Sequence, residues 1–600
     1  MEDNVIPLVQ MFEEAEEASY SERKLNERDQ DYYDGKQLTE EERNALKGRG
    51  QPPVIYNRIR RKVNFLLGLE RQQRRDPKAF PRTPNDEGAS QAATDALRYV
   101  CDAEAWDEKR SEAWADILVP GTGAILVGHK QDKYGLSPAL LNVPWDRFFY
   151  DPHSRRSDFS DANYMGIVTW YDVERAKEKW PDSADIITAT HNAGDYSETY
   201  DDRPKYKVWS DRSRSRVRVV EIFYLKEKQW HRCVFTQSGH LEEPALSPYI
   251  DEEGQPENPI KAASLYIDRD NNRYGDVRDM IDPQDEINKR RSKGLHLISQ
   301  RQARIGPNAQ VGVDEVRKEL ARPDGVILSD DVEILQTNDM AAQNLQLLQE
   351  AKAEIDLQGA NSALQGKNEN DMSGRAILAQ QQGGMVEVAL HLDRLRTLTL
   401  QVYEAIWNRI RQFWNEERWI RISDDERNLK FVGINQPVTA GQMLEEQIKS
   451  DPNVQQRIAQ DPGAQQRLLM FMGGPQANQV VSMRNVPSEI DVDIVIDEGM
   501  DTPTVAAEQW QELAKLAATG VVPIPPELLI EASSLRDKDK LLEKIAKPDE
   551  GAAQQQQLAQ AGAAAELEKT QSETLKNVAD ARAKDAKTEI EAFKAGSQAA

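Results

Sequence analysis

The chain has 600 residues, 39% of them apolar, with 11 Trp, 17 Tyr and 12 Phe, enough to build packed cores and to exclude wholesale disorder. Asp and Glu number 102 against 77 Lys and Arg, a net charge of −25, which excludes a general basic nucleic-acid binder because counterion release needs clustered cations. The two cysteines, Cys101 and Cys233, exclude a disulfide framework and a cysteine-based zinc site, and point to a reducing compartment.

Residues 1–75 are predicted helical. Val5, Leu8, Val9 and Phe12 fall at helical spacing, followed by an acidic face. After a turn at Gly48–Pro53 comes VIYNRIRRKVNFLLGLERQQRRDPKAF. There Ile59, Val63, Leu66 and Leu67 share one face, while Arg58, Arg60, Arg61, Lys62, Arg71, Arg74 and Arg75 crowd the others. Two readings of these cations stay open: a solvated face pairing with acidic neighbours, or a subunit or nucleic-acid contact. A helix is predicted over 89–118, carrying Ala93, Leu97, Val100, Trp106, Trp114 and Leu118. From about 123 to 270, short runs such as GAILVG, YMGIVTW and RVRVVEIFYL alternate with Pro, Gly and Asp turns, the pattern of an antiparallel α+β region. Within it, residues 145–164 form an aromatic, Asp-rich loop.

Residues 275–306 read as a helix whose apolar positions, Ile287, Leu295 and Ile298, are sparse, while Asn288, Arg291, Ser292, Ser299 and Gln302 fill most of its surface. Such a helix is expected to bridge solvent or to pack against copies of itself. A Pro/Gly-punctuated insert, 307–337, holds a predicted hairpin, VILSDDVEIL, and a second helix follows over 340–365. Next is a Gly/Asn-rich loop, GKNENDMSGRAIL, in which Ser373 is placed to cap a long helix running to about Trp414. Gly383–Gly384 marks a kink in that helix, and Trp407, Phe413 and Trp414 read as core. A hairpin, RWIRI and LKFVGI, comes next, then a Gln-rich helical stretch over 437–485. IDVDIVID, 490–497, alternates into a half-buried strand with one acidic face. Residues 501–547 read as helical, broken at VVPIPPE, and the tail from Gly551 to Ala600 is low-complexity Ala/Gln/Glu/Lys, either disordered or a helix stabilised by identical neighbours.

Enzyme chemistry finds no positive support. There is no phosphate-binding loop, since Gly366-Lys367 lacks both the upstream Gly and the following Ser/Thr. Neither a Gly-x-Ser-x-Gly elbow nor His-Glu-x-x-His is present. His231-x-Cys233 sits in a strand pattern and reads as ordinary packing. DRDNNRYGDVRD, 268–279, has Arg273 where a calcium loop needs Gly and Asp279 where it needs Glu, so it reads as an Asx turn. The best apolar window, Ala113 to Val127, is broken by Asp116 and Pro120, and no membrane insertion is predicted. The acidic N-terminus is not a secretory signal.

Three stretches carry a family resemblance: PPVIYNRIRRKVNFLLGLERQQRRDPKAFPRTP, NNRYGDVRDMIDPQDEINKRRSKGLHLI and NENDMSGRAILAQQQGG. On these the chain resembles the portal proteins of tailed bacteriophages, of the short-tailed (podovirus) type. The resemblance implies an α+β, mainly helical portal fold with wing, stem, clip and crown and a C-terminal helical barrel, closed as a dodecameric ring. It implies N-terminal helices and wing over 1–274, stem helices over 275–306 and 340–365 around a clip at 307–339, and a channel loop at 366–374. The long kinked helix and a wing hairpin then occupy 375–436, the crown with a returning strand 437–550, and the barrel helix 551–600. Asn368, Asn370, Asp371, Ser373, Gly374 and Arg375 would form the channel loop, and Lys289, Arg290, Arg291 and Lys293 would be stem cations near DNA.

No catalytic, cofactor-binding or metal-binding residue is implied. The implied partners are further copies of the chain, the terminase large subunit, the tail adaptor, capsid and scaffolding proteins, and double-stranded DNA in the channel. The implied location is the capsid vertex of the virion, after assembly in the host cytoplasm. A second hypothesis is a cytosolic metal-dependent nucleic-acid-processing enzyme. A third is an intracellular scaffold with a coiled tail.

Overall fold

Three helices open the chain: α1 (Ile6–Asp34), α2 (Glu40–Gly48) and α3 (Ile59–Gln72). In this computed structural model the described residues are 6–496, apart from 85–86, 195–207, 300–301, 308–310, 321, 323–324, 329, 336–337, 358–373, 424–428, 451–457 and 459–461, together with Leu513 and Lys515. They fall in one unit, residues 1–424 and 428–498; a second, 425–427 and 499–600, lies outside the described residues except for Leu513 and Lys515. The expectations for 501–547 and for the tail therefore lie outside the described residues.

Strand β1 (Pro77–Pro81) precedes α4 (Glu87–Ala103) and α5 (Trp106–Leu118). The single helix predicted over 89–118 is thus two. Ala105 takes a left-handed conformation, φ 50°, at the break. The Glu104 carboxylate there accepts the Leu140 N–H at 3.0 Å and pairs with Lys109 and Lys130. That local tertiary fastening overrides helix propensity.

Next come β2 (Thr122–Asp132), β3 (Gly135–Val143), β4 (Phe148–Tyr150) and β5 (Tyr164–Asp172). Helices α6 (Val173–Lys179) and α7 (Ala184–Ala193) follow, a helical insertion that the β-rich texture concealed. Strands β6 (Ser210–Asp211), β7 (Arg216–Lys226), β8 (Gln229–Thr236), β9 (Gly239–Leu246), β10 (Ile260–Ser264), β11 (Tyr266–Ile267) and β12 (Arg273–Tyr274) complete the region. The larger sheet runs β4-β5-β7-β8-β9, antiparallel, with β6 also pairing β7. The smaller runs β10-β2-β3.

Period-two alternation puts Val220 and Ile222 of β7 on the face that receives Leu8, Phe12 and Ala15 of α1. The other face is shared. Val217 and Val219 pack with Val173, Ala176 and Ile187 of α6 and α7, and Phe223 packs with Val143 and Ile260 of the smaller sheet. Buried Arg218 pairs with Glu16, so α1 is fastened to this sheet by charge as well as by apolar area. Asp151 and Asp161 organise the loop 145–164. Burial opposes their ionisation, yet N–H donors from His153 and Asn163, and from Arg155 and Arg156, hold both carboxyls below the usual range.

Past Tyr274, a 3-10 turn, Arg278–Met280, leads into α8 (Ile281–Ser299). The chain turns there where Gly121, φ +98°, crosses it: a Cβ on Gly121 would fall 2.2 Å from the Tyr274 carbonyl carbon. Then come β13 (Gln302–Ile305), α9 (Val313–Leu320), β14 (Val332–Leu335) and α10 (Asn338–Leu357). Two expectations are corrected. The helix ends at Ser299 rather than 306, and 302–305 pairs antiparallel with 332–335. The predicted hairpin within VILSDDVEIL does not form, because its second half pairs with β13 instead.

Helix α11 (Gly374–Phe413) stays helical through Gly383 and Gly384. It buries Val388, Leu395, Leu398, Val402, Ile406 and Ile410 in the largest core, against Ile59 and Val63 of α3, Leu97 of α4, Trp114 of α5 and Val127 of β2. Trp407 and Trp414 are buried, and Phe413 is half-buried. The hairpin β15 (Arg418–Ser423) and β16 (Leu429–Ile434) forms as the sequence predicts. Strand β17 (Gln436–Thr439), α12 (Ala440–Ser450), α13 (Pro462–Met472) and β18 (Val480–Arg484) follow. Strand β19 (Val492–Ile496) exposes Asp493 beside buried Val492, with exposed Asp491 just before it, and returns to pair with β1.

Candidate functional site

Helices α8 and α10 run antiparallel. Asn344 of α10 donates to the Arg290 carbonyl of α8 at 2.9 Å, and at the other end Gln284 of α8 and Asp356 of α10 both bind Arg58. The polar surface of α8 has a use that the sequence reading did not foresee. Gln284, Asn288 and Ser292, four residues apart on one face, are all buried, and they receive the segment 54–58 of their own chain. The Arg58 N–H donates to Gln284 Oε1 at 2.9 Å, the Tyr56 N–H to Asn288 Oδ1 at 2.9 Å, and the Val54 N–H to Ser292 Oγ at 3.4 Å. Gln284 Nε2 returns a bond to the Tyr56 carbonyl at 2.9 Å, and Asn288 Nδ2 donates to Gln37 Oε1 at 2.7 Å.

The match is geometric. Four residues of α-helix rise about 6.0 Å, and two residues of extended chain about 6.6 Å. Every second N–H therefore meets every fourth side chain, and the small mismatch accumulates toward Val54, where the bond is longest. The expectation that this face contacts other copies or solvent is corrected: the chain's own segment covers it.

One end of the helix pair, the start of α8 and the end of α10, is held by charge on both helices. At the start of α8, Arg278 binds Glu22 at 2.5 Å, Asp29 at 3.0 Å and Asn26 Oδ1 at 2.7 Å, and Tyr32 donates to Asp285 at 2.7 Å. Burial pushes the Glu22 and Asp29 carboxyls up, and Arg278 opposes that shift. At the end of α10, Arg58 grips the Asp356 carboxylate at 2.8 and 2.9 Å, and buried Lys62 donates to the Asp356 carbonyl at 2.9 Å. Cations there complement the negative end of the helix dipole. Arg58, Arg60 and Arg74 thus pair with acidic neighbours, while the Lys62 ammonium is buried on a backbone carbonyl.

Of the stem cations, Lys289 pairs with Asp285 and Arg290 with Glu286, each one turn back. Arg291 and Lys293 are exposed and make no ion pair among the described residues. Asn368, Asn370, Asp371 and Ser373 lie outside the described residues; Gly374 and Arg375 begin α11. Asp268 closes an Asx turn, accepting the N–H groups of Asp270 and Asn272 at 2.8 Å each. Among the described residues no three His, Cys, Asp or Glu side chains gather as a metal site, and no helix is long and apolar enough to cross a membrane. The amide ladder and Asp356 were missed from sequence. The signal for the ladder was the Gln284–Asn288–Ser292 spacing, which matters only beside an extended partner.

The chain matches the family described as phage P22-like portal protein over residues 9–595. It is 21% identical over 442 residues to the portal protein of Helicobacter pylori bacteriophage KHP30, covering 70% of this chain and 69% of that one. A chain from the neck of an empty GTA particle, computed with C6 symmetry, is similar at 13% identity over 58% of this chain and 77% of that one, with a TM-score of 0.28. Matched along nearly its whole length, the chain belongs to the phage P22-like portal protein family, whose members are structural proteins of the virion rather than enzymes.

Proposed function

We propose that this chain is the portal of a short-tailed phage: twelve copies close into a ring at one capsid vertex, and double-stranded DNA passes through the channel. The ring is built in the host cytoplasm with capsid and scaffolding proteins. It docks the terminase large subunit during packaging and the tail adaptor afterwards.

The observation that carries this reading is the antiparallel α8–α10 pair around a small insert. Among the residues of 302–335 whose side chains are described only Val316 is buried, so in this reading the insert gains stability from contacts beyond the chain. In this reading α8 and α10 are stem helices and the insert is the clip. Residues 366–374 project into the channel, and α11 bends at Gly383–Gly384. The 437–550 stretch is crown, with β19 as its returning strand, and 551–600 is barrel.

Electrostatics supports a conduit. A dodecamer carries on the order of −300 formal charges, so its wall repels phosphate and DNA slides rather than binds. Arg291, Lys293 and Arg375 keep that barrier low. Mass photometry of the purified full-length chain, followed by negative-stain imaging, tests the reading. Twelve-copy rings are the expected outcome, and a stable single copy under assembly conditions refutes it.

A further inference from the structure

We propose that the exposed arginine face of α3 seats the acidic first turn of α2 from a second copy of this chain. The inference rests on the ring reading above and names one contact that closes the ring. Helix α3 buries Ile59, Lys62, Val63, Leu66 and Glu70. Its opposite face carries Arg61, Asn64, Gly68 and Arg71, all exposed, at intervals of three and four residues. Arg61 and Arg71 stand about 15 Å apart along the axis, and neither makes an ion pair among the described residues. On the same face Arg60 meets Asp34 at 3.8 Å, and Asn64 accepts the Tyr33 hydroxyl at 2.9 Å.

Gly68 is the second observation. A glycine in mid-helix weakens the helix, and here a Cβ would meet nothing within 4 Å, so nothing inside the chain requires it. On an exposed face it leaves a shallow seat between two arginines where another backbone approaches closely.

Helix α2 supplies the complement. Its nine residues bury no side chain in their own chain, and its first turn is Glu40, Glu41 and Glu42. Glu42 is engaged in a capping box with Thr39, which leaves Glu40 and Glu41 exposed. An isolated helix this short is marginal in water, so a covering surface stabilises it. In its own chain Glu40 pairs within α2, with Arg43 at 4.0 Å, and among the described residues neither Glu40 nor Glu41 pairs with α3.

Copies that each carry a charge of −25 repel one another, so closure needs local pairs of opposite sign. A head-to-tail ring uses two different, complementary faces on every copy, and arginine forks suit carboxylates. Duplex phosphates would also suit Arg61 and Arg71, but they would leave α2 uncovered.

The test uses the full-length chain and reads ring fraction by mass photometry, with circular dichroism and melting as controls for folding. Arg61→Glu with Arg71→Glu, and separately Glu40→Arg with Glu41→Arg, are each expected to lower the ring fraction at least tenfold with melting unchanged. Combining all four changes restores the opposite-sign pairing and is expected to restore rings. Gly68→Gln fills the seat without an internal clash, so it is expected to leave folding intact and lower the ring fraction.

Wild-type rings alongside unaffected pair variants overturn this contact and leave the portal reading standing. Failure of the fourfold variant to recover also overturns it. Intact rings of the Arg61→Glu, Arg71→Glu variant that retain less DNA assign the face to DNA, and the proposal falls. A wild-type chain that forms no ring at all removes the portal reading itself.

Discussion

Helices α8 and α11 lie in the same unit and are fastened in opposite ways. The core stripe of α11 runs from Val388 to Ile410 and meets apolar side chains from α3, α4, α5 and β2. The buried stripe of α8 is Gln284, Asn288 and Ser292, and it meets backbone amides of 54–58. Apolar contact tolerates small slips, because its free energy follows area rather than direction. An amide ladder does not, because a one-residue slip turns every N–H away. The long helix is therefore held by bulk, and α8 by register.

Removing charge at the start of α8 is the harshest way to break the contrast. Arg278→Met leaves buried Glu22 without its cation and Asp29 with Arg28 alone, at 3.4 Å, which is expected to cost about 3–5 kcal/mol at neutral pH. The sign follows from the direction of both carboxyls. Raised folded values mean that their contribution is fullest below the ordinary carboxylate range and is lost as pH rises through the folded values. The variant should thus regain stability on acidification more steeply than wild type. Melting curves from pH 4 to 8 check this, and parallel curves would refute it.

On the apolar side, Ile406→Ala empties a fully buried site and is expected to cost about 2–4 kcal/mol, with little dependence on pH. Urea denaturation at two pH values separates it from the Arg278 variant. A strongly pH-dependent loss would mean that α11 is held by more than packing.

The contrast also explains what the sequence disclosed. The stripe of α11 and the alternation of β7, β15, β16 and β19 each follow from residues close in sequence, so periodicity found them. The ladder joins residues more than 200 positions apart, and neither partner has a signature alone: Gln284, Asn288 and Ser292 look like a solvated face, and Val54–Arg58 reads as the start of the helix that follows, whereas it is extended and α3 begins at Ile59. The pairing of β19 with β1 was hidden by the same long separation. The division of 89–118 into two helices turned on Glu104 reaching Lys109, Lys130 and the Leu140 N–H. The candidate channel cations were legible as charges. That Lys289 and Arg290 pair one turn back while Arg291 and Lys293 do not depends on which acids precede them.

Asn288→Ala sharpens the comparison from the polar side. It leaves the Tyr56 N–H and the Gln37 carboxamide without their partner, an expected cost of about 1–3 kcal/mol. Hydrogen exchange at Tyr56 should accelerate in step with the loss of stability. Unchanged protection there would mean that the segment is held by its side chains and not by the ladder.

Ser292→Ala is the smallest change and the most discriminating. Its bond to Val54 is the longest of the three, at 3.4 Å, where the mismatch between extended and helical rise has accumulated. Pro52 and Pro53 offer no N–H beyond it, so the ladder ends at Val54. The loss should therefore be about 0.5 kcal/mol, with faster exchange at Val54 and little change at Tyr56. If it equalled the Asn288 loss, the three rungs would act as one cooperative unit fastened from its Pro end. If it stayed small, docking would be set at Gln284 and Asn288, close to where Arg58 joins the end of α10, and the far rung would only follow.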